Sequence, residues 1–382
     1  MGTSGGLDTG PATGLPHRPR VLPGLAVLRR GPAEVQVGTD PRHAVVIGGL
    51  CGPLVELVHA LDGGRTLDEL VGEAASRGVD RQAVLELLDA LAVAGLLDEA
   101  APAARSKAGA PGRLAADSTT WALRTGHARA LVPDVRRESA VVVHGDGRLG
   151  VAVAVLLAAA GVGQVQVVAD GVVRPEDTGC GYLDSDVGRP RRQAAADAVR
   201  RAASGADGGR LPPHRRPDLA VLTDAVAPDP QLVAALFADH IPHLPVRARE
   251  GTGVVGPLVL PGRTSCLRCA DLYRTDRDPC WPRVAAQLGD RPQPADLATA
   301  QATAALAVGQ ALLALEWPRH GTRPLVWNTT LELDPLRAAL QRRRWPRHPD
   351  VAAPSATDPT ARPNAAVRSR WTHAPSPSTH CV

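Results

Sequence analysis

The chain has 382 residues, room for two domains at about 100–200 residues each. Charged residues at 21% and apolar residues at 44% exclude a disordered polyelectrolyte, and no continuous run reaches the roughly 18 apolar residues of a membrane span. The net charge of +4 is carried almost wholly by scattered arginine, and the single lysine, Lys107, excludes a Walker-A loop and a Tyr-x-x-x-Lys dehydrogenase pair.

Residues 1–18 are rich in Gly, Pro and Thr and read as disordered. They lack the apolar segment of a secretory signal, so a cytoplasmic location is expected. Val21–Leu28, Glu34–Val37 and Ala44–Ile47 read as short strands. Leu54, Leu57, Val58 and Leu61 have the spacing of a helix face. Thr66 and Glu69 have the spacing of a capping box for a second helix, and Asp80 caps a third that carries Val84, Leu87, Leu88 and Leu91. Gly95 ends that helix, and Leu96–Leu97 reads as a wing strand. This is the pattern of a small winged-helix-like α+β domain over residues 19–101. The stretch Arg20–Glu99 resembles the PqqD-like peptide-recognition modules of ribosomal peptide modification systems, which implies binding of a leader peptide at a sheet edge. A winged helix that only packs on its neighbour fits the same pattern. The acidic, apolar last helix speaks against DNA, and no nucleic-acid or membrane partner is expected. Residues 102–116 read as a linker.

From Trp121 the chain is expected to start helical and then run as a connector to Arg137. Ala140–Val143 is an apolar strand, Gly145, Gly147 and Gly150 form G-x-G-x-x-G directly behind it, Val151–Ala160 reads as a helix, and Gln164–Val168 is a second strand ending near Asp170. This is a β-α-β unit with an acidic residue about 20 positions past the last glycine, the Rossmann fingerprint for a nucleotide. Phosphate would meet N–H groups at the helix start, and Asp170 would hold ribose hydroxyls. Arg148 is bulky for its place in the turn. Leu219–Leu222 is a further buried strand, and Asp224 lies just past its carboxyl end, where a carboxylate can hold Mg²⁺; capping of the next helix is the competing role, shared with Asp229.

With those residues in place, residues 117–346 resemble the ThiF/MoeB-type, ubiquitin-activating-enzyme-like adenylyltransferases. The resemblance implies an α/β fold with a Rossmann-like, mostly parallel sheet and helices on both faces. It implies adenylation by ATP-Mg²⁺ of the carboxylate of a small carrier protein or peptide. Gly145, Gly147, Gly150 and Asp170 would then hold ATP, and Asp224 the metal. Gly188, Arg189, Pro190 and Arg191 stand where the family has G-x-P-K, so Arg191 takes the place of its lysine. Asp177 and Cys180 fall where the family has Asn and Arg, so one phosphate-contacting pair is replaced, which costs rate more than binding. No activating base is evident beside Cys180.

Cys266 and Cys269 form a CxxC. The family carries zinc on two such pairs; here the expected second pair, in RRRWPRHPDVAAPS, is missing, and His348 is its only soft ligand. Cys280 and Cys381 lack ligand spacing. The stretch from Cys269 to Leu288 resembles actinobacterial ThiF-like proteins that also carry a PqqD-like front end, without an assignable chemistry. Asp296–Leu315 reads as a core helix, Pro324–Leu333 as a strand, and 347–382 as a disordered tail. Partners expected are a carrier protein or leader peptide, a cyclodehydratase and a second copy in a homodimer. Two other functions remain open: a catalytically degenerate scaffold that presents a leader peptide to the cyclodehydratase, and an NAD-dependent oxidoreductase, which gives Asp224 and Arg191 no role.

Overall fold

The computed structural model describes residues 14–41, 44–100, 114, 116–117, 120–121, 132–223, 225–289 and 294–351. Lys107, Asp224, Cys381, nearly all of the expected linker and tail, and most of the expected helix after Trp121 lie outside these residues. The chain divides at Leu131/Val132 into two compact units.

In the first unit, β1 (Pro19–Val21) pairs antiparallel with β5 (Leu97–Glu99). Arg20 seals this pairing with two bonds to Asp98, at 2.9 and 2.7 Å. The three-stranded antiparallel sheet is β2 (Val27–Gly31), β3 (Glu34–Val37) and β4 (Val45–Ile47). The strand expected over Val21–Leu28 is therefore two strands, broken by a turn at Gly24 with φ +87°. The expected wing strand closes on β1 rather than joining the three-stranded sheet. Three helices follow the sequence pattern: α1 (Gly52–His59), α2 (Leu67–Ser76) and α3 (Arg81–Val93). Thr66 and Glu69 form the reciprocal capping box of α2, and Asp80 accepts the Gln82 N–H at the start of α3. Leu54, Val58, Val84, Leu88 and Leu91 bury their apolar faces against Val35 and Val37.

The second unit is built on a seven-stranded sheet. Its strands are β6 (Ala140–His144), β7 (Gln164–Val168), β8 (Leu219–Leu222), β9 (His243–Arg249), β10 (Thr252–Val255), β11 (Thr329–Asp334) and β12 (Ala339–Arg344), in the order β12-β11-β10-β9-β8-β6-β7. β7, β6, β8 and β9 are mutually parallel, and β10, β11 and β12 add on in alternating direction, so the sheet is mostly parallel. The four parallel strands are short and apolar because helices cover both faces. On one face α5 (Arg148–Ala159), α6 (Arg191–Ala202) and α10 (Leu297–His320) pack on Val141, Val143, Val221, Leu244 and Val246. On the other, α7 (Pro230–Ala238) packs Leu236 on Ala220 and Leu222. α4 (Val132–Glu138) precedes the sheet, placing helix where a connector was expected, and α8 (Leu267–Arg277) and α9 (Trp281–Leu288) follow β10.

α10 is long and apolar enough to cross a membrane by length and composition, with mean hydropathy 1.4 over Leu297–Pro318, and half of that stretch is buried inside the molecule. Its buried Ala300, Ala304, Ala307 and Ala311 form the small-residue face that packs in the main core. The only charge on its buried part is Glu316, which pairs with Arg136 of α4 at 2.6 Å; both side chains are out of water.

Candidate functional site

The candidate site lies at the carboxyl rim of β6, β7 and β8. Gly145 leaves β6 with φ +121°, a conformation that a side chain would strain. Gly147 occupies the N-cap of α5 and supplies no capping side chain. The first turn of α5 therefore presents its backbone N–H groups and the positive end of the helix dipole, the arrangement that receives a phosphate. Gly150 is required by space: a Cβ there would lie 2.3 Å from the Gly145 carbonyl oxygen and 2.7 Å from Thr223 Oγ1. Thr223 ties the ends of β6 and β8 together, its N–H and Oγ1 donating to the His144 carbonyl at 2.7 and 3.2 Å. Burial pushes the His144 imidazole below its ordinary pKa, so the ring at this rim is neutral at neutral pH. Asp224, the next residue after Thr223, is outside the described residues.

Asp170 is exposed beyond the end of β7, where it accepts the Gly171 N–H at 2.8 Å through Oδ1. Its own N–H donates to Asp146 Oδ2 at 2.8 Å. The other Asp146 oxygen accepts Arg191 Nη1 at 2.8 Å, and Arg191 Nη2 donates to Asp177 Oδ2 at 2.6 Å. Asp177 also accepts the Arg174 N–H at 2.9 Å. A carboxylate–guanidinium–carboxylate chain thus joins the glycine turn, the end of β7, the 3₁₀ turn Pro175–Asp177 and the start of α6. Burial opposes the charge on Arg191, but Asp177 and Asp146 outweigh it and hold the pKa above its ordinary value. Its Nε is buried and makes no hydrogen bond among the described residues. The structure brings Gly145, Gly147, Gly150, Asp170 and Arg191 to one rim. It also shows Arg191 held between two carboxylates through one N–H of each terminal nitrogen.

Sequence reasoning missed Asp146, because the middle positions of G-x-G-x-x-G carry no required side chain. Arg148, bulky for the turn, leaves the rim: Nε donates to the Thr178 carbonyl at 3.1 Å and Nη1 to the Ala295 carbonyl at 3.3 Å. Burial raises the Cys180 thiol, with Arg148 opposing, which leaves it a poor nucleophile. Asp186 organises the rest of the crossover, accepting the Leu183 N–H at 2.9 Å and pairing with Arg189 and Arg201.

Cys266 and Cys269, a doubtful zinc pair from the sequence because the second pair is missing, gain no further ligand among the described residues. Cys266 and Cys269 hold their sulfurs 3.6 Å apart, with the Cys266 thiol raised by burial. Among the described residues, no group of three or more His, Cys, Asp or Glu side chains is arranged to hold a metal ion. Cys280 is exposed at the start of α9. His348 is engaged elsewhere, bonding Asp276 at 3.0 Å and meeting the Tyr273 ring edge-on at 4.8 Å. Two thiols without further ligands do not make a tetrahedral site.

Residues 133–211, which include the glycine turn, Asp170 and Arg191, match the model of the ThiF family. No curated protein matches the chain. Among solved structures, E. coli MccB with AMPCPP and selenomethionine MccA is 15% identical with a TM-score of 0.65, covering 88% of this chain and 99% of that one. E. coli MccB with ATP is 15% identical with a TM-score of 0.64, over 88% and 99% of the two chains. PaaA is 16% identical with a TM-score of 0.62, over 84% and 98%. Residues 133–211 are thus similar to the ThiF family, within a fold that the chain shares with MccB and PaaA.

Proposed function

We propose that the second unit binds ATP with magnesium at the rim of β6, β7 and β8 and adenylates a carboxylate of a peptide or small carrier protein, in the manner of ubiquitin-like modifier activation. The observation that carries this reading is the glycine cradle, where Gly150 leaves room for nothing but backbone and α5 presents its N-terminal end. The ThiF match over that cradle supports it, as do the solved MccB structures with ATP and with MccA.

ATP supplies an electrophilic α-phosphorus and pyrophosphate as leaving group. The α5 N–H groups would hold phosphate oxygens, Asp170 would orient the ribose, and Asp224 would hold magnesium. Arg191 would reach the phosphates with the N–H groups that Asp146 and Asp177 leave open, while it fixes the turn through Asp146. The first unit recruits the leader peptide by adding a strand to its small sheet, whose edges are β2 and β4. A cytoplasmic location, a homodimer and a cyclodehydratase partner belong to the same proposal.

The commitment of Arg191 favours one second reading: a scaffold that binds nucleotide and leader peptide and passes the peptide to that partner. Isotope exchange between pyrophosphate and ATP, run with magnesium and candidate precursor peptides, separates the two. Exchange supports adenylation, and ATP binding without exchange supports the scaffold. Calorimetry that detects no ATP binding, or a preference for NAD, overturns both.

A further inference from the structure

The sheet face opposite the main core carries charge where β9 meets β10 and β11. β9 turns Leu244, Val246 and Ala248 into the core, so Arg247 and Arg249 point the other way. The register sets Arg247, Val254 and Glu332 in one row across β9, β10 and β11. Among the described residues, two carboxylates act on Arg247, and each already has an arginine partner. Glu332 pairs with Arg249 at 3.2 Å and Arg343 at 3.3 Å. Asp271 pairs with Arg274 at 2.8 Å and accepts Trp281 Nε1 at 3.2 Å.

Arg247 itself is only 8% exposed, and its guanidinium makes no hydrogen bond or ion pair among the described residues. Burial, with the charges of Arg274 and Arg249 added, pushes its pKa down to about 10, against partial compensation from Asp271 and Glu332. It therefore remains a cation at neutral pH. A buried cation without a counterion is unfavourable, and an apolar side chain of similar size would pack there without that penalty. Beside it, the Arg274 guanidinium lies over the Trp281 ring at 5.1 Å and over the Trp345 ring at 4.8 Å. Two guanidinium groups with restricted geometry match the two oxygens of a carboxylate or a phosphate.

The location adds a second constraint. His144, Leu222 and Pro245 share one row across β6, β8 and β9. Arg247 is two residues beyond that row, on the side of the glycine turn, and β9 is two strands from β6, about 10 Å away at ~4.8 Å per strand. About three extended peptide residues span that distance.

We infer that Arg247, with Arg274 beside it, binds a carboxylate of the peptide substrate: an acidic group about three residues from the carboxylate that is activated at the nucleotide rim. The inference rests on the proposed adenylation of a peptide. A nucleotide phosphate is the other source of the same oxyanion chemistry.

The test uses the full chain and Arg247→Met, melted without added anion and then with N-acetylglutamate, pyrophosphate or ATP-Mg²⁺, with ATP binding measured by calorimetry on both. The expected result has three parts. Without anion, Arg247→Met melts no lower than the parent. N-acetylglutamate raises the melting temperature of the parent and not of the variant. Both proteins bind ATP-Mg²⁺ equally. Arg247→Met melting well below the parent overturns the inference, because the guanidinium would then be held by internal contacts. An equal shift in both proteins, or none in either, also overturns it. A shift with pyrophosphate or ATP-Mg²⁺ alone that Arg247→Met abolishes overturns the carboxylate and assigns the cation to the nucleotide. Failure of the parent to bind ATP removes the adenylation reading, while the N-acetylglutamate result still decides whether the anion site exists.

Discussion

Gly150 shows how little freedom a single position at this rim has. Its Cα faces the Gly145 carbonyl and the Thr223 hydroxyl closely enough that one methyl group would force β6, β8 and α5 apart. Gly150→Ala is expected to cost about 1–3 kcal/mol, the usual range for overpacking, and to abolish ATP binding; urea unfolding and calorimetry check the two parts. His243 gives a pH signature. It is fully buried, its Nδ1 lies 3.0 Å from the Ile241 carbonyl, and its Nε2 has no partner among the described residues. Burial lowers its pKa from 6.5, only partly offset by the Ile241 carbonyl, so the unfolded chain binds protons more readily than the folded one. Stability is then complete above pH 6.5 and declines as the pH falls below it toward the depressed native value, with His144 adding in the same direction. His243→Leu is expected to flatten that acid limb, read as the urea midpoint against pH.

The crossover between β7 and α6 is held by carboxylates that meet arginines as well as by Val173, Cys180 and Tyr182 in the core. Asp177 and Asp186 each accept a backbone N–H of their own 3₁₀ turn and an arginine from α6 or its approach. The motif spacing pointed to Arg191 as a phosphate ligand, and the structure gives it a holding role through Asp146 and Asp177. Asp177→Asn removes the charge that holds Nη2. It is expected to tighten ATP-Mg²⁺ binding severalfold and to raise any pyrophosphate exchange. Unchanged affinity would place Arg191 outside the phosphate path. The helices that the sequence located best, α2, α3 and α5, are those whose caps and apolar spacing are local. β9, β10 and β12 were not anticipated. β9 interleaves His243, Arg247 and Arg249 with its core residues, and β12 carries three exposed arginines, so neither shows a continuous apolar run.

In the second unit as a whole, the buried Arg136–Glu316 pair joins α4 to α10 across 180 residues. Arg136 Nη1 also donates to the Ala160 carbonyl at 3.0 Å, at the end of α5. Glu316→Ala removes the carboxylate from a buried ion pair and is expected to cost about 3–5 kcal/mol by urea unfolding, well beyond the loss of a surface ion pair. The sequence by itself determined the β-α-β unit, the glycine turn, Asp170 and the capped helices of the first unit. Those depend on residues within a turn or two of one another, where periodicity and steric limits are local. Only the tertiary structure decided that β5 returns to β1, that Asp146 and Asp177 enclose Arg191, that Cys266 and Cys269 have no further ligands among the described residues, and that Arg247 is buried with no ion pair among those residues. Each of those depends on which distant side chains share one low-dielectric space, and spacing along the chain does not specify that.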